Sequence, residues 1–149
     1  MFGSIARFVT GKGREARACM EKIENRDLMQ AIVYGSFYVA AADGEVSEAE
    51  LKKLSALISN MPALKGFGPE LGDTMDRAEA DFVNGGKRIL RQNAEKELSD
   101  LNGKGADALS VMNVMLTVAE ADDGNIKPEE MVVLEKAAKL MGLDLSKIL

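Results

Sequence analysis

Histidine and tryptophan are absent from this 149-residue chain, cysteine occurs once and proline three times. Without histidine there is no Ser/His/Asp or Cys/His relay, no His general base and no zinc site of mixed His and Cys ligands. The lone Cys19 has no partner, so the chain is no disulfide scaffold and suits a reducing compartment. No stretch approaches the roughly eighteen continuous apolar residues of a membrane span, and nothing at the N-terminus resembles a secretory signal. The expectation is a soluble cytoplasmic protein.

What remains for chemistry is carboxylate. Asp and Glu number 24 against 19 Lys and Arg, a formal charge of −5. The charge is uneven: residues 1–26 hold six basic and three acidic side chains, a net of +3 that leaves −8 on the rest. An acidic body argues against nonspecific nucleic-acid binding. With 46% apolar residues, the length fits a single domain over 1–149 with room for a real core.

One acidic pattern occurs twice. Asp43-Gly44-x-Val46-x-x-x-Glu50 and Asp123-Gly124-x-Ile126-x-x-x-Glu130 stand at a constant offset of 80 residues. Ala41 matches Ala121, Leu51 matches Met131 and Leu54 matches Leu134, so each copy lies between two apolar-periodic stretches. This is a helix, acidic loop, helix unit used twice, and it invites a pseudo-twofold arrangement.

Every long periodic segment reads as helix, and no run alternates in the β-branched manner of a strand. The spacing predicts helices over 2–23, 27–42, 47–60, 69–84, 86–101, 104–122 and from Pro128 to about Met141, with a final turn over 144–149. The fold class is therefore all-α, a compact bundle of about seven helices. Met29, Ile32, Val33, Phe37 and Ala40 mark one buried stripe; Leu109, Met112, Met115, Leu116 and Ala119 mark another. The nine methionines fall mostly on such faces and read as core packing.

The repeated pattern reproduces the second half of an EF-hand loop, where glycine makes the turn and the last glutamate chelates. Its first half is missing, because Val39, Ala41, Ala119 and Ala121 stand where Asp or Asn ligands belong. The alternative is a cup at a helix C-terminus, with unpaired carbonyls and the negative end of the helix dipole completed by Asp43 or Asp123. Glu50 and Glu130 would reach it from the next helix. Clustered oxygen donors prefer hard cations such as Ca²⁺, Mg²⁺ or Mn²⁺. The bland reading of Ser47-x-x-Glu50 is a capping box; in the second copy Lys127 stands at the cap position, which breaks the box while Glu130 is retained. Glu120, Asp122 and Asp123 also crowd a helix C-terminus, where negative charge is unfavourable unless a cation is present.

At these residues the sequence resembles the tellurite-resistance TerB family. The matching segments run from Ala40 to Glu50 and from Ala119 to Glu130, and the likeness covers nearly the whole length. The resemblance implies a helical cytoplasmic protein of a tellurite and stress-response system, non-enzymatic, possessing clustered acidic residues that bind a divalent metal. It also implies association with membrane-bound or cytoplasmic proteins of that system. Carried over by position, the ligands are Asp43, Glu50, Asp123 and Glu130, with Asp122 an extra acid where the first copy has Ala42. The segment from about 62 to 105 carries no specific motif.

Two rival functions remain open at this level. A carboxylate-dependent hydrolase bridging two metals through Asp43 and Asp123 lacks a phosphate-cradling loop and a recognisable nucleophile. A membrane-surface adaptor would use residues 2–17 as a basic amphipathic helix, with Phe2, Ile5 and Val9 toward lipid and Arg7, Lys12, Arg14 and Arg17 toward anionic headgroups. This would be peripheral association at the inner face of the membrane, with the acidic loops serving as structural turns.

Overall fold

The computed structural model describes residues 14–120 and 124–149. Among them are five α-helices: α1 (Arg14–Ala40), α2 (Glu48–Ser59), α3 (Pro69–Ser99), α4 (Gly105–Glu120) and α5 (Pro128–Leu140). Short 3-10 turns occupy Pro62–Phe67 and Leu145–Lys147. No strand occurs among the described residues, and none of their helices is long and apolar enough to cross a membrane. The segment expected to form a membrane-surface helix lies outside the described residues up to residue 13; of its remainder only helical backbone is described.

The count of five differs from the expected seven for two reasons. The predicted boundary between 23 and 27 does not exist, because Glu24-Asn25-Arg26 holds neither Gly nor Pro and an interior Asn costs only about 0.7 kcal/mol of helix propensity. The predicted break at Asn84-Gly85-Gly86 is real, but it bends one element. Gly86 has φ 69 and ψ −167 inside α3, a region open essentially to glycine alone.

The bend is a reversal. Asp81 and Asn93 would be about 18 Å apart along a straight helix, yet Asn93 Nδ2 donates to Asp81 Oδ2 at 2.8 Å. The two arms of α3 therefore close on each other, burying Leu71, Thr74 and Ala78 from one and Leu90, Ala94 and Leu98 from the other.

From residue 28 on, α1 is the central element. Leu28, Met29, Ile32, Val33, Phe37 and Val39 are buried, and so are Tyr34, Ser36 and Tyr38 on the other faces. The predicted stripe is thus too narrow; a helix apolar nearly all round is one surrounded by others. Gly35 lets α4 and α3 approach α1 closely, since a Cβ there would lie 3.0 Å from Met115 Sδ and 3.5 Å from Leu98 Cδ2. Helix α5 ends in a Schellman arrangement: Leu143 N–H donates to Ala138 O at 2.8 Å and Gly142 N–H to Lys139 O at 3.2 Å, with Gly142 at φ 75. Leu145 is buried beyond it and Ile148 packs on the core, as the final-turn expectation has it.

Candidate functional site

Each acidic loop is built around its glycine. Gly44 at φ 88 and Gly124 at φ 79 take the left-handed turn that a side chain would resist. Gly44 N–H donates to Ala41 O at 2.9 Å, and Gly124 N–H to Glu120 O at 3.0 Å. Asp43 Oδ1 accepts the Glu45 N–H at 3.0 Å, an Asx turn. Val46 and Ile126 then pack against the core and pin the loops. Val39, Ala41 and Ala119 are buried core residues, which agrees with the loss of the EF-hand's first half.

Both glutamates bond back to the residue that opens the following helix. Ser47 Oγ accepts the Glu50 N–H and donates to Glu50 Oε1, both at 3.1 Å. In the second copy the Lys127 N–H donates to Glu130 Oε1 at 2.9 Å. Lys127 therefore does not excuse Glu130 from capping. The half of the box that uses the glutamate needs only a main-chain donor, so the broken pattern is no argument for a different role.

Tertiary structure nevertheless brings the copies together. A cavity of about 110 Å³ is lined by Asp43 and Glu50 from the first copy and Glu130 from the second. Ala40, Leu54, Leu57 and Val118 supply apolar wall, and Lys53 and Lys127 add positive charge. Asp123, the fourth expected ligand, and Asp122 beside it lie outside the described residues. Among the described residues no three acidic side chains stand close enough to hold a metal ion. The carboxylates line a shared wall without closing into a cage. Their all-oxygen chemistry fits a hard cation.

In the first copy the carbonyls of Val39, Ala41 and Ala42 do not wait unpaired, contrary to expectation. Val39 O accepts from Ala42 N–H and Ala41 O from Gly44 N–H. Ala42 O accepts from the ammonium of Lys87. Sequence reading missed Lys87, which lies in the stretch without a motif; the only signal was its place directly after Gly85-Gly86.

The middle segment also supplies two tyrosine anchors. Tyr34 Oη donates at 3.0 Å to Asp81 Oδ2, and Tyr38 Oη at 3.2 Å to Glu95 Oε2, which also meets Lys136 Nζ at 3.1 Å. Burial, then the bond to Asp81, pushes the Tyr34 hydroxyl up to about 12. Burial, then the Glu95 charge, raises Tyr38 as well. Glu97 is raised first by burial and then by the charge of Asp100. The two tyrosines tie α1 to α3, Glu95 joins α3 to α5 through Lys136, and none of these side chains lines the acidic cavity.

A sequence model of a family described as tellurite resistance protein TerB matches residues 29–148. No curated protein gives a match, and no solved structure does.

Proposed function

The chain belongs to the TerB family, and from that membership we propose that it is a non-enzymatic divalent-cation-binding domain whose two acidic loops act as one site. The observation that carries this reading is the shared cavity: Asp43 and Glu50 from one copy of the pattern line it together with Glu130 from the copy 80 residues on. Unrelated solvated turns have no reason to face one another. The constant register of the two copies supports reading them as a pseudo-twofold pair, with Asp123 the position that corresponds to Asp43.

A bound Ca²⁺, Mg²⁺ or Mn²⁺ supplies positive charge that offsets repulsion among carboxylates gathered at one wall. Asp43, Glu50 and Glu130 would hold it, each already steadied by a hydrogen bond to its own loop. Such ordering lowers the cost of arranging ligands. Because the carboxylates line a wall and do not close a cage, binding draws the two loops toward each other. The domain then reports cation occupancy to proteins of a tellurite-resistance system in the cytoplasm, including those at the membrane face.

The test is thermal melting and amide NMR of the full chain with each cation, against Asp43→Asn combined with Glu130→Gln. The wild-type chain gains several degrees, as any ligand that prefers the folded state requires, and amides around Gly44 and Gly124 shift together. The double variant keeps its helical signature and loses both responses. Wild-type melting and amides that ignore all three cations end the proposal.

A further inference from the structure

The reversal in α3 carries a patch unlike the rest of this acidic chain. Val83 is 70% exposed and Ile89 39%, one on either side of Gly86. Between Asp81 and Glu95 stand Lys87, Arg88 and Arg91 and no acidic residue. Arg88 and Arg91 are exposed and enter no ion pair among the described residues. Bare backbone at Gly85 leaves Ile89 its place, because a Cβ there would collide with it. Single exposed aliphatic residues are ordinary, but two on one turn beside unpaired arginines have the composition of a protein interface.

The complement of this turn lies next to it. Residues 43–50 hold Asp43, Glu45, Glu48 and Glu50 and no basic side chain. Asp43 and Glu50 line the same cavity as the apolar Leu54, Leu57 and Val118, and its volume of about 110 Å³ is on the scale of one aliphatic side chain. The Lys87 ammonium meets Ala42 O, which sets the basic turn and the acidic loop side by side at the end of α1. That arrangement leaves both outer faces uncovered: Val83 and Arg88 stay exposed, and so do Asp43, Glu45 and Glu48. Two patches of opposite character, adjacent on one molecule, suit a twofold interface between identical chains, since each then meets its complement on the other copy. An anionic lipid surface fits less well, because it would press its headgroups against the four carboxylates of the neighbouring loop.

We propose that this face binds a second copy of the chain. The α3 turn of each protomer lies on the acidic loop of the other, with Val83 directed to the wall of Leu54, Leu57 and Val118. The contact draws nothing from a bound metal and is separate from the cation reading above. Because it is small and charged, it is weak and sensitive to salt.

The experiment is sedimentation equilibrium of the full chain in EDTA, from about 10 μM to about 1 mM, the span in which a small interface dissociates. The wild-type mass climbs from that of one chain toward that of two, and raising NaCl from about 0.05 to about 0.5 M weakens association roughly tenfold. Arg88→Glu alone and Glu48→Arg alone, both at exposed positions, keep the mass of one chain. An equimolar mixture of the two variants associates again, since each reversed charge then faces its complement. A wild-type mass that stays at one chain overturns the proposal, and so does a dimer that both reversals leave intact or a mixture that fails to associate. Flotation with phosphatidylglycerol vesicles covers the lipid alternative: a monomeric chain that floats with them, and ceases to with Arg88→Glu, assigns the turn to a membrane surface and refutes the dimer.

Discussion

At the scale of single residues, Glu130 shows how one side chain serves two ends. Its carboxylate accepts the Lys127 N–H and also lines the cavity it shares with Asp43 and Glu50. The two roles separate by substitution. Glu130→Gln keeps an acceptor oxygen, so its urea midpoint should stay close to wild type while the cation response falls away. Glu130→Ala loses that hydrogen bond as well and should cost about 0.5–1.5 kcal/mol, the usual net contribution of one hydrogen bond. Equal stability of the two variants would mean that the hydrogen bond to Lys127 contributes nothing. Reading Lys127 as a break in the box rests on matching side chains alone. The capping interaction uses the backbone donor of Lys127, which every residue except proline possesses.

Among the elements, α3 is the one whose shape rests on a single glycine. Gly86 at φ 69 and ψ −167 occupies a region where a side chain costs about 1–3 kcal/mol. Gly86→Ala should therefore lower stability by that amount and loosen the hold of Lys87 on Ala42, seen as faster hydrogen exchange around Asp43. Gly72, in the same helix, has no positive φ, and a Cβ added there would meet nothing within 4 Å, so it provides the contrast. Gly72→Ala should stabilise by about 0.4–1 kcal/mol through the unfolded chain. Opposite signs in chemical denaturation check the pair. The bend was legible as Asn84-Gly85-Gly86, while its severity was not. Nothing local says that Asp81 and Asn93 will face one another.

For the whole molecule, stability at high pH follows from the tyrosines that fasten α1 to its neighbours. The Tyr34 hydroxyl is raised from 10.0 to about 12, so folding favours its neutral form. Its contribution is full below pH 10 and is lost as pH rises through about 12, because the unfolded chain gives up the proton first. The gap in stability between wild type and Tyr34→Phe should thus be constant up to about pH 9.5 and shrink between pH 10 and 12 in urea melts. A gap independent of pH across that window would contradict the Asp81 anchor. The sequence by itself determined the all-helical class, the helix-forming stripes, the positive-φ glycines of both acidic loops and the family, because each is written in local spacing and turn chemistry. It also set out Asp43, Glu50, Asp123 and Glu130 as a doubled pattern. Only the tertiary structure decided that Asp43, Glu50 and Glu130 share one cavity, that α1 from residue 28 on is enclosed on nearly all sides, and that Lys87 meets the end of α1. Those outcomes depend on long-range packing, where residues 45 or 80 positions apart meet because helices bury their apolar faces together, and no local pattern encodes which ones will do so.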